Sequence, residues 1–466
     1  MKSQRPTDVC LVGAAVYFLP VRTRMPLKFG AETLTEVDCC RVRVTVRNRL
    51  GRTADGWGET PLSAQWAWPS ELPYATRAAA MRDFAVASVR AWTESGDSGH
   101  PLDLGVRFQA NILPKLVQDS PTSRTAEPLP YLAALIALSA ADVAVHDAYG
   151  NLQQRDVFDV YSSEYMPHDL AHYFGFEAAA AFSGKFPCDY LASPSPQVLP
   201  VWHLVGGLDP LTLGEVDPQS SPQDGYPVLL ADWIERDGLR CLKVKLRGND
   251  AEWDFQRLVQ IGKLGMPLGV EHYSADFNCT VRQPEYVVAI LERLRRESPS
   301  LFERLLYVEQ PFPYDLTNNQ IDVRSVSQIK PLFLDESAHD WRYVKLGRSL
   351  GWTGACLKTC KTQTGSILSY CWARAHGMQI MVQDLTNPML AQIPHVRLAS
   401  KVHSIMGVES NAMQFYPDAS LPEARVHPGL YRRRNGQLDL STLGEVGFGY
   451  RLAEIERQLP EPAALF

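Results

Sequence analysis

Residues 240–250 read RCLKVKLRGND. Leu242, Val244 and Leu246 alternate with Lys243 and Lys245, the period of a β-strand, so both lysines project from one face. On a half-exposed strand they would be ordinary solvated side chains. Inside a pocket they would be two adjacent cations, unfavourable unless negative charge stands opposite. Outward from this strand, strand-sized runs recur: VLPVWHLV (198–205), CLKVKL (241–246), MPLGVEHYSA (266–275), RLLYVEQ (304–310), KPLFLDE (330–336), GACLKTC (354–360), MQIMVQD (378–384) and SIMGVES (404–410). Amphipathic helix-sized runs lie between them, among them AEWDFQRLVQIGKL (251–264), PEYVVAILERLRRE (284–297), WRYVKLGRSL (341–350) and GSILSYCWARAHG (365–377). Eight strands with helical crossovers predict a closed (β/α) barrel over residues 196–424. The alternative, an open doubly wound sheet, would want a glycine-rich phosphate turn after a strand, and none is present.

A barrel of this kind carries its chemistry at the C-terminal strand ends. Here those ends are ionisable: Lys243 and Lys245, then Asp276, Glu309, Asp335, Lys358, Asp384 and Glu409, 23 to 33 residues apart, about one βα unit each. Unpaired charge inside a barrel costs several kcal/mol, so such a series is not a chance pattern. Asp276, Glu309 and Asp335 from successive strands would repel one another unless a cation lay among them. An all-oxygen set favours Mg²⁺, with Mn²⁺ as the substitute. Lys243 and Lys245 flank that position and Lys358 faces it across the mouth. A cation and a second ammonium nearby lower a lysine's pKa towards the range of a useful base.

Residues 1–195 are organised differently. Strands VCLVGAAVYFL, CCRVRVTVRN and TADGWGETPL come first, then helices ATRAAAMRDFAVASVRAWTES and PYLAALIALSAADVAVHDAYGNL, joined by VQDSPTSRTAEPLP. That is an α+β unit. Residues 425–466 are too polar to extend the barrel and are expected to return to the first unit. The chain is 466 residues long, 45% hydrophobic and 21% charged, with formal net charge −6. This gives no electrostatic case for a nucleic-acid or membrane partner. YLAALIALSAADVAV contains Asp142 and reads as too short to span a bilayer. MKSQRPTDVC lacks the apolar centre of a signal peptide, and nine scattered cysteines match no zinc spacing, so reduced thiols and a cytoplasmic location are expected.

These residues resemble the mandelate racemase/muconate lactonising branch of the enolase superfamily. The resemblance rests on Lys243-Val244-Lys245 ending strand two, on Asp276, Glu309 and Asp335 ending strands three to five, and on their DxN, EQP and DES surroundings. Lys358 on strand six is similar to the muconate lactonising enzyme-like subgroup. The mandelate racemase subgroup would instead pair an Asp on strand six with a His on strand seven. GRTADGWGETPL, ALSAADVAVHDAYGNL and NGQLDLSTLGEVGFGY are similar to the family's capping domain and C-terminal return. The implied fold is a modified TIM barrel, (β/α)8-type, with an α+β N-terminal capping domain completed by the C-terminal tail. Departures are KTQTGS in place of a glycine pair after strand six, the nearby Lys361, an insertion over Tyr165–Gln197, and a longer linker before Glu309.

The resemblance implies metal-dependent abstraction of the proton α to a small-molecule carboxylate, through an enediolate. Lys245 and Lys358 would be the opposed base and acid, with Lys243 orienting Lys245 or binding the carboxylate. Racemisation or epimerisation, dehydration (an acid-sugar dehydratase is one alternative) and cycloisomerisation all remain open. Asp384 and Glu409 are candidates to face substrate, and Asn278 and Glu336 to support the metal ligands. Lys361 reads as a solvated loop residue and His203 as a satisfied hydrogen-bonder. Met25–Gly30, with Trp66 and Trp68, is a candidate lid. A hydrolase would want HxH on the first strand, where only His203 stands; a non-catalytic ligand-binding barrel would not need all six charged residues. The resemblance leaves a homo-oligomer open.

Overall fold

The computed structural model describes residues 5–124, 127–219 and 221–466. Met1–Gln4 of the N-terminal segment and Thr125–Ala126 of the connection after residue 117 lie outside the described residues. Three antiparallel strands open the chain: β1 (Val9–Phe29), β2 (Glu32–Asn48) and β3 (Thr53–Pro61). In β2 the fully buried Val42, Val44 and Val46 alternate with Arg43, Thr45 and Arg47, as a one-sided sheet requires. Four helices used below follow: α1 (Tyr74–Glu94), α2 (Pro101–Arg107), α3 (Tyr131–Gln153) and α4 (Leu170–Phe174). Helix α3 lies directly on β3. A Cβ at Gly56 or Gly58 would run into the α3 backbone at Ala148 or Ala140, which is why TADGWGETPL carries glycine at both places.

Helix α3 corrects one expectation. It runs 23 residues and is long and apolar enough to cross a membrane, but 94% of its apolar window is buried inside the protein. Its apolar character all round is that of a core helix.

The expected barrel is present. Strands β4 (Val198–Val205), β5 (Cys241–Lys245), β6 (His272–Asp276), β7 (Leu305–Glu309), β8 (Leu332–Leu334), β9 (Gly354–Leu357), β10 (Gln379–Val382) and β11 (Val408–Glu409) pair in parallel in that order, and β11 closes on β4. Helices α5 (Leu230–Asp237), α6 (Ala251–Gly265), α7 (Pro284–Glu297), α8 (Trp341–Leu350), α9 (Gln363–Ala375) and α10 (Gln392–Lys401) are among the crossovers. The third strand is shorter than its apolar run. Met266–Leu268 is a 3₁₀ turn ended by Gly269 at φ 91°, and pairing begins only at His272. The insertion packs outside the barrel, with Phe174 on Trp341 and Tyr370 Oη donating to the Tyr190 carbonyl.

The C-terminal segment touches both units. β12 (Gln437–Asp439) pairs antiparallel with β4, and β13 (Ala464–Leu465) adds to the edge of β1. Asp147, buried on α3, ties this segment to the cap: it accepts from Phe448 N (2.9 Å), Trp57 N (3.0 Å) and Asn151 Nδ2 (3.1 Å). Asp147→Ala leaves the Phe448 and Trp57 N–H groups without an acceptor, while Asn151 Nδ2 keeps the Asp55 carbonyl, and is expected to cost on the order of 3 kcal/mol in denaturant unfolding. A loss under about 0.5 kcal/mol would show that the junction is not held there.

Candidate functional site

Period two explains the barrel interior. Cys241, Tyr307, Phe333, Cys356 and Met381, with Trp202, form a buried apolar cluster in the lumen. Two residues further along each strand, on the same inward face, come Lys243, Glu309, Asp335, Lys358 and Gln383. The lumen is thus apolar below and charged at the top. Leu242 and Val244 point the other way, into the core beneath the helices. Lys243 and Lys245 are 2% and 6% exposed, so the strand is not a solvated face.

Ammonium groups stand between the acids. Lys243 Nζ lies 2.7 Å from Glu309, 3.1 Å from Asp276 and 3.1 Å from Glu409, and Lys245 is ion-paired with Asp276. Lys358 Nζ lies 2.9 Å from Asp335 Oδ2 and 4.6 Å from the Trp66 ring centre. Asp335 Oδ2 is buried and has the Lys358 ammonium as its ion-pair partner, off-line for a hydrogen bond. Asn278 donates its backbone N–H to Asp276 (2.9 Å) and its amide to Glu336 (3.0 Å). Asp384 and Glu409 both reach the mouth and share Asn411: its N–H and amide bond Asp384 at 2.7 and 3.2 Å, and its amide bonds Glu409 at 2.8 Å.

Six buried carboxylates (Asp276, Glu309, Asp335, Glu336, Asp384, Glu409) face four buried ammonium groups (Lys243, Lys245, Lys358, Lys361), a formal charge of −2. The pKa directions follow from this. Burial raises Asp276 and Asp335, but the lysines outweigh it and hold both low. Burial, with Asp276 and Asp335 alongside, pushes Glu309 well up and Glu336 to about 7. Burial alone would lower Lys243 and Lys358, yet the surrounding carboxylates raise both. In the absence of a cation those two lysines are therefore held protonated, the reverse of what a base needs. Two protons or one divalent cation would neutralise the excess. The donor set is all-oxygen, as Mg²⁺ prefers, but among the described residues no three carboxylate oxygens of the mouth lie within 4.8 Å of one another, so a cation would have to displace Lys243 and Lys358 from the acids and draw these together.

Several residues differ from expectation. Lys361 is not solvated: it is 3% exposed, and its Nζ donates to the Asp335 carbonyl at 2.6 Å. His203 faces outward onto Trp233, and its Nδ1 has no hydrogen-bond partner. Trp68 is buried away from the mouth, its carbonyl accepting from Arg77. Gln383, Gln310 and Asn411 belong to the site although the strand-end pattern does not single them out. Gln383 Nε2 donates to Glu309 at 2.6 Å, and Gln310 Oε1 accepts from Asp335 N and Ser337 N at 2.8 and 3.1 Å. For Gln383 the available signal is the phase of MQIMVQD, which turns Gln383 rather than Asp384 inward with Met381.

The cap closes the mouth. Leu27, Phe29, Leu34, Ser63 and Trp66 join Leu204, Leu385, Thr386, the three lysines, Asp384 and Glu409 around a cavity of ≈ 40 Å³. The cap also anchors the chain after β9: Asp142 on α3 accepts from Thr364 N (2.9 Å) and Oγ1 (2.7 Å), where α9 begins.

The charge excess has a measurable consequence. Raised carboxyls bind protons in the folded state that the unfolded chain releases, so metal-free protein should lose stability as pH rises from about 4.5 through about 7. Glu336 alone accounts for about 3 kcal/mol. Buried histidines held below their usual range act in the opposite sense, so the loss is read as the difference in denaturant unfolding between wild type and Glu336→Gln at pH 5 and pH 8, and Mg²⁺ should reverse it at pH 8. A flat difference that Mg²⁺ does not move contradicts the charge assignment.

No family model and no curated protein matches the chain. Solved structures do. They include a muconate lactonizing enzyme from Mycobacterium smegmatis complexed with muconolactone (17% identity, TM-score 0.61, 94% of this chain and 96% of that one). A dipeptide epimerase from Enterococcus faecalis complexed with Mg and L-Leu-L-Tyr is similar at 15% identity and TM-score 0.59 (94% and 99%). An N-succinyl Arg/Lys racemase from Bacillus cereus is similar at 14% and 0.62 (98% and 99%). The chain shares its fold with these structures of the mandelate racemase/muconate lactonising branch of the enolase superfamily.

Proposed function

We propose that this chain belongs to the enolase superfamily and abstracts the proton α to the carboxylate of a small-molecule acid, with racemisation or epimerisation as the outcome best matched to its site. The observation that carries this reading is one of position. Lys245 on β5 and Lys358 beyond β9 come from strands four places apart in an eight-stranded ring, and so from opposite walls, yet both line the same cavity. A carbon held between them can lose its proton to the lysine that stands as a neutral amine, which becomes an ammonium, and gain one on the opposite face from the other lysine's ammonium.

Asp276, Glu309 and Asp335 would hold Mg²⁺, or Mn²⁺ in its place. When bound, the cation supplies positive charge that stabilises the negative charge developing on the substrate carboxylate. Asn278 and Glu336 keep Asp276 in orientation from behind, and Gln383 does so for Glu309. Lys243, fixed by Glu309 and Glu409, sets the field around Lys245. Phe29, Leu27, Leu34 and Trp66 keep water from the reacting carbon, which preserves the strength of these charges.

The lining also narrows the substrate. Leu27, Phe29, Leu34, Trp66, Leu204 and Leu385 offer apolar surface, and among the described residues only Ser63 and Thr386 add hydroxyls there. That favours an acid with an apolar substituent over a polyhydroxylated sugar acid. Among the same residues no cation beyond the lysines is available for a distal carboxylate, which disfavours a dicarboxylate cycloisomerisation. The likeness to an epimerase and a racemase supports the same outcome. A hydrolase reading lacks its first-strand histidines, since His203 faces away.

The test is isotope exchange. With Mg²⁺ in D₂O, N-acyl derivatives of apolar amino acids should gain α-deuterium faster than hexonic acids. Lys245→Ala and Lys358→Ala should each stop interconversion of the antipodes and slow exchange of the antipode whose α-proton faces the missing lysine by about 10²–10⁴-fold. Undiminished exchange of both antipodes in either variant would remove that lysine from the chemistry. Exchange confined to the sugar acids would overturn the substrate assignment.

A further inference from the structure

Among the described residues, one group of His, Cys and acidic side chains brings three ligand atoms within 4.8 Å of one another, and it is not at the barrel mouth. It consists of Asp103, His168 and His172. Asp103 belongs to α2 of the cap. His168 and His172 flank the start of α4, in the Tyr165–Gln197 insertion that the barrel chemistry leaves unexplained. We propose that these three residues form a second metal site, selective for a first-row transition ion of the Zn²⁺ class, which clips the insertion to the cap.

The observations are independent of the barrel. His172 lies in the first turn of α4 and His168 just before its N-cap, Asp169, so the bend of the chain at Asp169, not a helical repeat, brings the two imidazoles together. Their rings lie parallel, with centres 3.8 Å apart and planes 15° from parallel. Asp103, only 5% exposed, comes from a different element to complete the set. Tyr173 Oη donates to Asp103 Oδ1 at 2.6 Å, which fixes the carboxylate and leaves Oδ2 to face the imidazoles. The turn carrying the histidines is itself fixed. Asp169 accepts from His172 N at 3.2 Å and Gly184 N at 2.7 Å, and Leu170 N bonds the Lys185 carbonyl at 2.8 Å. Arg107, the cation nearest Asp103 on α2, is drawn off by the Ser98 carbonyl at 2.9 Å and Asp97 at 3.6 Å.

Two imidazoles and one carboxylate are a borderline-soft donor set. They suit Zn²⁺, with Co²⁺ as a spectroscopic substitute, and not Mg²⁺, which prefers an all-oxygen shell. Bond lengths of about 2.0–2.2 Å place neighbouring donors roughly 3.3–3.5 Å apart; the stacked rings carry their in-plane lone pairs side by side, so at least one imidazole must turn to another rotamer for both to converge on the ion. A fourth position is left for water. Helix α2 then carries the clip's effect inward, because Gly105 packs against Thr364 beside the Lys358–Lys361 loop.

The full-length, metal-stripped protein, held in excess Mg²⁺, is titrated with Zn²⁺ against a chromophoric chelator, and separately with Co²⁺ by visible absorption. One Zn²⁺ per chain should bind. His172→Gln, at an exposed position, should weaken binding about 10-fold or more, as should His168→Gln, while Glu309→Gln leaves it intact. Equal Zn²⁺ affinity in wild type and His168→Gln/His172→Gln would overturn the site. So would loss of Zn²⁺ binding in Glu309→Gln with retention in His172→Gln, which would place the ion in the barrel.

Discussion

Charge compensation at the barrel mouth is the constraint on which the rest depends. Six carboxylates and four ammonium groups are buried there, and an isolated buried ion costs several kcal/mol. Pairing lowers that cost but leaves a residue of two negative charges. A barrel top built this way is poor as a purely structural device, since apolar side chains would serve stability better. Such an arrangement makes sense where charge must be moved or stabilised during a reaction.

The surrounding fold keeps these groups in place. Lys243, Glu309, Asp335 and Lys358 each stand one pleat above an apolar lumen residue (Cys241, Tyr307, Phe333 and Cys356), so the strands set their height and direction. Uncharged amides then fix the orientation: Gln383 on Glu309, Gln310 under Asp335, Asn411 between Asp384 and Glu409. The cap does more than cover the cavity. Through Asp142 and Thr364 it holds the start of the helix that follows Lys358, and through Asp147 it holds the C-terminal segment. The buried Arg41 bridges Glu59 and Glu423, with Arg457 on the far side of Glu423, which adds an ionic tie between cap and tail. The cap, the loop after Lys358 and the tail are therefore mechanically connected.

Much of this is legible in the chain. Alternation in CLKVKL and its counterparts marks strands, their spacing marks a barrel, and a charge at seven consecutive strand ends is rare enough to name a site. What is not legible has a physical reason. Gln310 and Asn411 are amides, common in loops, and nothing in their local sequence distinguishes a structural hydrogen bond from a solvated one; Gln383 is given away only by its phase with Met381. Lys361 reads as solvent-facing because a loop after a strand usually is; here the 3₁₀ turn at Thr359–Lys361 folds it back onto Asp335. Asp103 and the two histidines are separated by more than sixty residues in sequence and meet only because the insertion folds against α2.

Whether a divalent ion or trapped protons balance the barrel mouth is tested most directly by anomalous diffraction from crystals grown with Mn²⁺. One strong peak coordinated by Asp276, Glu309 and Asp335 is expected, with the Lys243 and Lys358 ammonium groups drawn back from those oxygens. Density with no peak there, and both lysines still seated on the carboxylates, would contradict the role given to the cation.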